Sequence, residues 1–310
     1  MRIGISVCSS YGVENPRLGA QFMVERARAA NAAALDSLFV GDHHVTPAPY
    51  YQNTAILARM LAEWGEKPAG ALYLLPLWNP VLLAEQVGTL ASIMSGRFIL
   101  QCALGGDRRA SRGMGVDPSQ RVGMFEESLE IMRRLWAGEE VTHQGYWHID
   151  RARIAPCPSE PVEVWIGAMA PPAINRTARM AEGWLASPAL TVQEARDALN
   201  LFRQSCAEHD RQPSAVGIRK DVYVGATSQD ARSAVAAVVE KGYRGFSEEA
   251  LIVGSVQEVI DELSAYGELG YTDIIVRNIT QNQADALGCI ERLAEVRAAL
   301  ASPDASADNG

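Results

Sequence analysis

Ala34-Leu35-Asp36-Ser37-Leu38-Phe39-Val40-Gly41-Asp42-His43-His44 is the stretch on which the reading of this chain turns. Ser37–Val40 is a short apolar run followed by a glycine, the pattern of a buried strand. Two imidazoles beside a carboxylate at the end of such a strand are costly to place without a purpose, and α/β proteins put their chemistry at strand ends. His43 is the candidate for proton transfer, because an ordinary imidazole titrates near neutrality. Asp42 is expected either to orient it or to hold the strand end. His44 points to the other side and fixes the loop. Tyr50, Tyr51 and Asn53 follow and are candidates for the pocket wall.

Working outward, similar strand-length runs recur at Arg2–Val7, Ala71–Leu75, Arg97–Ala103, Glu163–Ile166, Trp184–Ala186, Val216–Val224 and Asp273–Val276. Amphipathic helical segments lie between them. The clearest is Gln120–Trp136, with Phe125, Leu129, Met132 and Trp136 on one face and Glu126, Glu127 and Glu130 on the face expected to be solvated. Asn79-Pro80 opens one helix and Ser95-Gly96 closes it. Thr191-x-x-Glu194 and Ser255-x-x-Glu258 are capping boxes that open two more. Strands alternating with helices in this number predict an α/β (β/α)8 TIM barrel. Two stretches break the alternation. Glu139–Pro161 predicts a β-hairpin with a Pro-rich return before the fifth strand, and Gly242–Val253 predicts a mobile loop before the last helix-strand unit. Both are expected near one barrel mouth, over a substrate. Residues 1–300 read as one domain and 301–310 as a disordered tail.

Bulk composition narrows the function classes. The chain has 310 residues, 48% hydrophobic and 21% charged, enough for a large core. A net charge of -9 disfavours nucleic acid and anionic membrane as partners. The apolar runs are strand-length, too short to span a bilayer, and Met1–Val7 reads as a strand rather than a signal peptide. The odd set Cys8, Cys102, Cys157, Cys206 and Cys289, without Cys-x-x-Cys, suits reduced thiols and a cytoplasmic location. No metal site is expected: His43 and His44 are adjacent, and His143 and His148 lie on a hairpin without a third ligand. A P-loop, a Gly-x-Gly-x-x-Gly after the first strand and a Gly-x-Ser-x-Gly elbow are all missing.

Several segments, taken in order, resemble the bacterial-luciferase-like flavin oxidoreductases, a family of FMN-dependent monooxygenases and deazaflavin (F420) dependent reductases and dehydrogenases. They are Ala34–His44, Leu74-Leu75-Pro76-Leu77-Trp78-Asn79-Pro80, Ala84-Glu85-Gln86, Ser95-Gly96-Arg97-Phe98, the helix from Arg121 to Gly138, Trp165-Ile166-Gly167 with Glu182-Gly183-Trp184, and Val253-Gly254-Ser255 with Gly270-Tyr271. The resemblance runs from Met1 to about Leu300. It implies that His43 is the active-site histidine, with Asp42 and His44 beside it. It implies a non-prolyl cis peptide at Ala71–Leu72 beneath the cofactor ring, a close backbone approach at Gly105 and Gly106, and a phosphate held by Arg121 and the amides of Gly167, Ala168 and Met169. Arg108 and Arg109 are alternative contacts. The chain departs from the pattern at Ala168 and Ala170, where the family shows Gly and Ser, and at Leu104, where some FMN-using relatives carry arginine.

The implied activity is that of a monooxygenase in which reduced FMN, supplied by a partner flavin reductase, reacts with oxygen and oxidises a small organic substrate. The alternative is F420-dependent hydride transfer, which Leu104 favours. A flavin-binding protein without turnover is a third reading. The family resemblance also implies a homodimer.

Overall fold

The computed structural model describes residues 1–301. The tail expected to be disordered lies, from Ser302 onward, outside the described residues. The strands are β1 (Arg2–Val7), β2 (Leu38–Val40), β3 (Ala69–Leu74), β4 (Phe98–Ala103), β5 (Val141–Gln144), β6 (His148–Ala152), β7 (Glu163–Gly167), β8 (Gly183–Ala186), β9 (Ala215–Val224), β10 (Ile252–Gly254) and β11 (Asp273–Asn278). The helices are α1 (Pro16–Ala32), α2 (Asn53–Leu61), α3 (Pro80–Ile93), α4 (Arg108–Gly113), α5 (Arg121–Trp136), α6 (Pro171–Met180), α7 (Val192–Glu208), α8 (Ser228–Val239), α9 (Val256–Leu269) and α10 (Gln283–Leu300).

β1, β2, β3, β4, β7, β8, β9 and β11 pair in parallel, and the pairing of β8 with β9 closes them into a barrel. The expected (β/α)8 barrel is therefore present, and all eight expected strands belong to it. Strand parity sorts the side chains. Ile3, Ile5, Val7, Leu38, Val40, Ala71, Tyr73, Leu100, Cys102, Val164 and Ile166 face the helices. Phe39, Ile99, Trp165, Ala215 and Ile275 fill the barrel centre, with Leu185 against them. Phe39 and Trp165 meet there at 5.8 Å between ring centroids. Gly183 makes room for this plug, since a Cβ there would sit 2.4 Å from Trp165. Gly70 lets β3 close on β4, where a Cβ would sit 1.8 Å from the Ile99 carbonyl oxygen.

Below the plug the barrel ends in a polar layer. Arg2 pairs with Asp273 at 2.6 Å and Arg97 with Glu163 at 2.6 Å. The Glu163 carboxylate also accepts from Trp165 Nε1 at 2.8 Å and from Ser214 Oγ at 2.6 Å.

Both capping boxes form, at Thr191/Glu194 and Ser255/Glu258, and Asn79 caps α3 through the amides of Val81 and Leu82. Four details differ from expectation. The Ala71–Leu72 bond is trans, because β3 pairs with β4 without interruption from Ala69 to Leu74 and has no bulge to accommodate a turn of the chain. The segment expected as a loop over Gly242–Val253 contains β10, whose Ile252 and Val253 extend the sheet beside Val222 and Tyr223. The hairpin β5–β6 lies along the flank of α5, and only its tip, Tyr146 against Gly123, reaches the first turn of that helix. Glu127, expected to be solvated, pins that tip by accepting from the amides of Tyr146 (2.8 Å) and Trp147 (3.3 Å).

Candidate active site

The C-terminal ends of the parallel strands form the mouth at which the sequence places its chemistry. Continuing the inward parity of Phe39 through Gly41 puts His43 on the mouth. Its ring meets Tyr50 edge-to-face at 5.7 Å. Burial pushes the Tyr50 phenol up to about 12, although the neighbouring Ser9 hydroxyl pulls the other way. The phenol is therefore a neutral neighbour for the imidazole. Tyr51 and Asn53 stand behind it as framework: Tyr51 donates to the Pro16 carbonyl at 2.5 Å, and Asn53 Nδ2 donates to Leu72 O at 2.7 Å.

Asp42 and His44 take the opposite parity and face away from His43. The Asp42 carboxylate accepts from the Leu74 amide and from Trp78 Nε1, both at 2.8 Å, and lies 3.0 Å from His44 Nε2. Its side chain is fully buried. The acid thus fastens the end of β2 to the turn after β3, and its histidine partner is His44. The geometry separates His43, on the mouth, from the other two, which build its support.

The expected cofactor residues fall into two groups. Leu72, Gly105, Gly106, Gly167 and Met169 lie on the mouth by parity or at its rim. Gly105 has φ +69, and a Cβ on Gly106 would meet open space. Arg121 begins α5 at the mouth side, since that helix follows β4. Ala71 and Ala168 turn toward the helices. The Ala168 amide donates to Leu185 O at 3.3 Å, so it does not face the mouth. Pro171 and Pro172 open α6 and remove two of the N–H groups that a helix N-terminus ordinarily offers an anion. The expected phosphate cradle at Gly167–Met169 is therefore poor in donors. Gln101, also on the inward face, is buried with its Nε2 unpartnered among the described residues. It offers one donor to a carbonyl oxygen of a ring above it. Glycine space at Gly105–Gly106 and this orphan amide fit a flat heteroaromatic cofactor bearing carbonyl groups.

Sequence reading missed the most charged part of the mouth. Gly217 points inward at Leu185 and Trp165, so Arg219 and Asp221 do too. Ile275 belongs to the central plug, which turns Arg277 inward above it. Arg219 Nε lies 3.3 Å from Asp221 Oδ1, and Arg244 Nη1 reaches in from the segment after α8 to 3.8 Å from Oδ2. Arg277 Nη2 donates to Cys8 Sγ at 3.2 Å. Burial, the largest single influence, raises the Cys8 thiol, but the Arg277 guanidinium, the Ser10 backbone and Arg26 together outweigh it and the net shift is downward. Burial lowers Arg219 to about 10 against the pull of Asp221. Burial, and then Asp221, push Tyr243 up to about 12. The signal was available: Arg219, Lys220 and Asp221 are three charges inside one strand, and parity separates Lys220 from the other two. Lys220 faces the helices, fully buried, and donates to Leu190 O at 2.8 Å.

No group of three or more His, Cys, Asp or Glu side chains among the described residues is placed to hold a metal ion. His143 sits against Glu127 at 3.1 Å, while His148 is registered opposite Gln144 and so takes the other face of the hairpin. No helix among the described residues is long and apolar enough to cross a membrane.

A model of the luciferase-like monooxygenase family matches residues 1–250. The chain belongs to the luciferase-like family. It is 28% identical over 187 residues to an F420-dependent glucose-6-phosphate dehydrogenase of Nakamurella multipartita, a match covering 56% of this chain and 54% of that protein. It is 23% identical over 306 residues to the enzyme of the same name from Intrasporangium calvum, covering 86% of this chain and 92% of that one. The structure superposes with a TM-score of 0.82, at 18% identity, on the oxygenating constituent of 3,6-diketocamphane monooxygenase from Pseudomonas putida in complex with FMN, covering 97% of this chain and 99% of that one. The fold and the family are thus those expected, and the family is one of oxidoreductases in which both F420 and FMN occur.

Proposed function

We propose that this luciferase-like oxidoreductase uses F420 to move a hydride between a small carbonyl compound and the corresponding alcohol. The observation that carries this reading is the isolation of His43. It is the imidazole on the mouth, edge-on to a neutral Tyr50, while Asp42 is engaged with His44, Leu74 and Trp78. An imidazole so placed accepts the hydroxyl proton as an alcohol is oxidised and returns it when a carbonyl is reduced. The choice of F420 draws support from the relative that matches over most of the chain, from Leu104 and from the donor-poor turn at Ala168–Pro172. When bound, F420 supplies the two-electron acceptor or donor. Gln101, Gly105 and Gly106 would receive its ring, and Arg121 its phosphate. The plug of Phe39, Ile99 and Trp165 shields the site from water below.

A second reading has the FMN complex of the P. putida protein in its favour. There, reduced FMN from a separate reductase and oxygen would oxidise a small organic substrate, and His43 would hydrogen-bond to the oxygenated species. Side-by-side fluorescence titration with F420, FMN and reduced FMN separates the two. Preference for F420, followed by bleaching of its absorbance when alcohols are added, is the expected result. Preference for reduced FMN with oxygen consumption would replace it with the second reading.

A further inference from the structure

The mouth carries more positive charge than its fold needs. Arg219, Arg244 and Arg277 converge on it, and Asp221 is the carboxylate among them. Arg219 Nε and Nη2 and Arg277 Nε are buried with no hydrogen-bond acceptor among the described residues. The Arg219–Asp221 approach is close but misaligned, so it leaves Nε unsatisfied. Buried guanidinium groups without acceptors are costly, and a planar fork is the geometry that matches a carboxylate, phosphate or sulfonate. Arg244 comes from Gly242–Gly245, where Gly242, Arg244 and Gly245 all have positive φ and Arg244 stacks on Phe246. A turn this constrained aims the guanidinium into the mouth from outside.

From this we infer that the substrate is a small organic anion, its charged end held by Arg219, Arg277 and Arg244 and its reacting carbon directed to His43. The inference rests on the oxidoreductase reading above only for the reacting end. The strands carrying these groups lie side by side in the order β9, β11, β1, β2. At one strand spacing per step, Arg277 and His43 are on the order of 10 Å apart. A substrate with a few atoms between its anionic group and its carbonyl or hydroxyl carbon spans that distance. Asp221 offsets one of the three guanidinium charges by proximity, although neither of its oxygens has a hydrogen-bond donor among the described residues, so positive charge remains in excess. Gly167 ends β7, two strands from β9 and three from β11, so the assignment to substrate is read from the separate titrations of anion and cofactor.

The test is calorimetric titration of the full chain, free and saturated with F420, using hexanoate, its neutral isostere hexanamide, and inorganic phosphate as probes. Hexanoate should bind about tenfold or more tightly than hexanamide, as expected for charge-assisted hydrogen bonds, and compete with phosphate. Arg277→Gln should lose that preference, and Arg277→Lys should recover only part of it, because an ammonium lacks the fork. Arg219→Gln provides a second variant should Arg277→Gln fail to fold, as judged by its melting curve. Equal binding of hexanoate and hexanamide overturns the inference. So does a loss of F420 or FMN affinity in Arg277→Gln matching the loss of hexanoate, which would make the cluster a cofactor-phosphate site. Because the binding of the probes is read without turnover, a failure of the hydride-transfer reading leaves this result standing, and the reverse.

Discussion

The two ends of this barrel use the same residue types to opposite effect. At the N-terminal end, Arg2 and Arg97 each meet a carboxylate at 2.6 Å, and Glu163 is further tied to Trp165 and Ser214. At the C-terminal end, Arg219 Nε and Nη2 and Arg277 Nε point into the same interior with no acceptor among the described residues. The lower layer is mostly hydrogen-bonded, with Glu163 Oε2 held only by its approach to Arg97, which is closer to what a core tolerates. The upper layer is left incomplete, and incompleteness among buried charges is where a protein reserves room for a ligand. The contrast is local, and the overall charge of -9 carries the opposite sign to the mouth.

The comparison can be broken from either end. His43→Ala should lower turnover by about 10²–10⁴-fold, the usual contribution of a general acid-base group, while cofactor affinity in the fluorescence titration stays within a few-fold. Full activity in that variant would remove His43 from the chemistry. Glu163→Leu, in the lower layer, should cost about 3 kcal/mol in a urea melt, because it strands Arg97, Trp165 Nε1 and Ser214 together. A neutral outcome would mean the lower network is no tighter than the upper one. Asp42→Ala should cost about 2 kcal/mol by releasing Leu74 N and Trp78 Nε1, yet leave the pH profile of turnover in place. A shifted profile would return Asp42 to the chemistry. Arg277→Met, in the upper layer, should be neutral or stabilising by about 1 kcal/mol, since it removes a buried charge that lacks full pairing.

Lys220 offers the most discriminating effect. It is a buried cation on the same strand, but its ammonium is satisfied by the Leu190 carbonyl. Burial lowers it to about 8 from the ordinary 10.5. Between those values the unfolded chain holds the proton that the folded chain has released, so this group makes stability rise with pH across that window. Wild type should therefore gain stability over Lys220→Met as the pH is raised through about 8 to 10.5. An unchanged difference would mean that Lys220 is not depressed in the folded state.

Much of this was legible in the residues. The strands announce themselves because parallel strands buried on both faces read as continuous apolar runs. The helices do so because their caps are local, as at Asn79, Thr191 and Ser255. Parity alone already sends His44 to the other side from His43. The partner of Asp42 was not legible, because it arrives from Leu74 and Trp78, some 32 and 36 residues later, and only closure of the barrel brings them together. Of the arginine cluster only the Arg219–Asp221 part carried a local signal, as charges inside one strand; Cys8, Arg244 and Arg277 join it from distant parts of the chain. The hairpin was visible as a hairpin, but its docking on Glu127 was not, since a glutamate on a helix reads as a solvated charge until a loop's amides are placed against it.

That docking gives the hairpin a reach beyond its own size. Tyr146 closes on Gly123, two residues from Arg121, and Trp147 Nε1 ties the same tip to Ser128 at 2.9 Å. The outer ribbon thus acts as a clamp on the first turn of α5, which begins at Arg121. Laboratory evolution at Tyr146 and Trp147 could retune cofactor preference from the protein's exterior, leaving every residue that lines the pocket untouched.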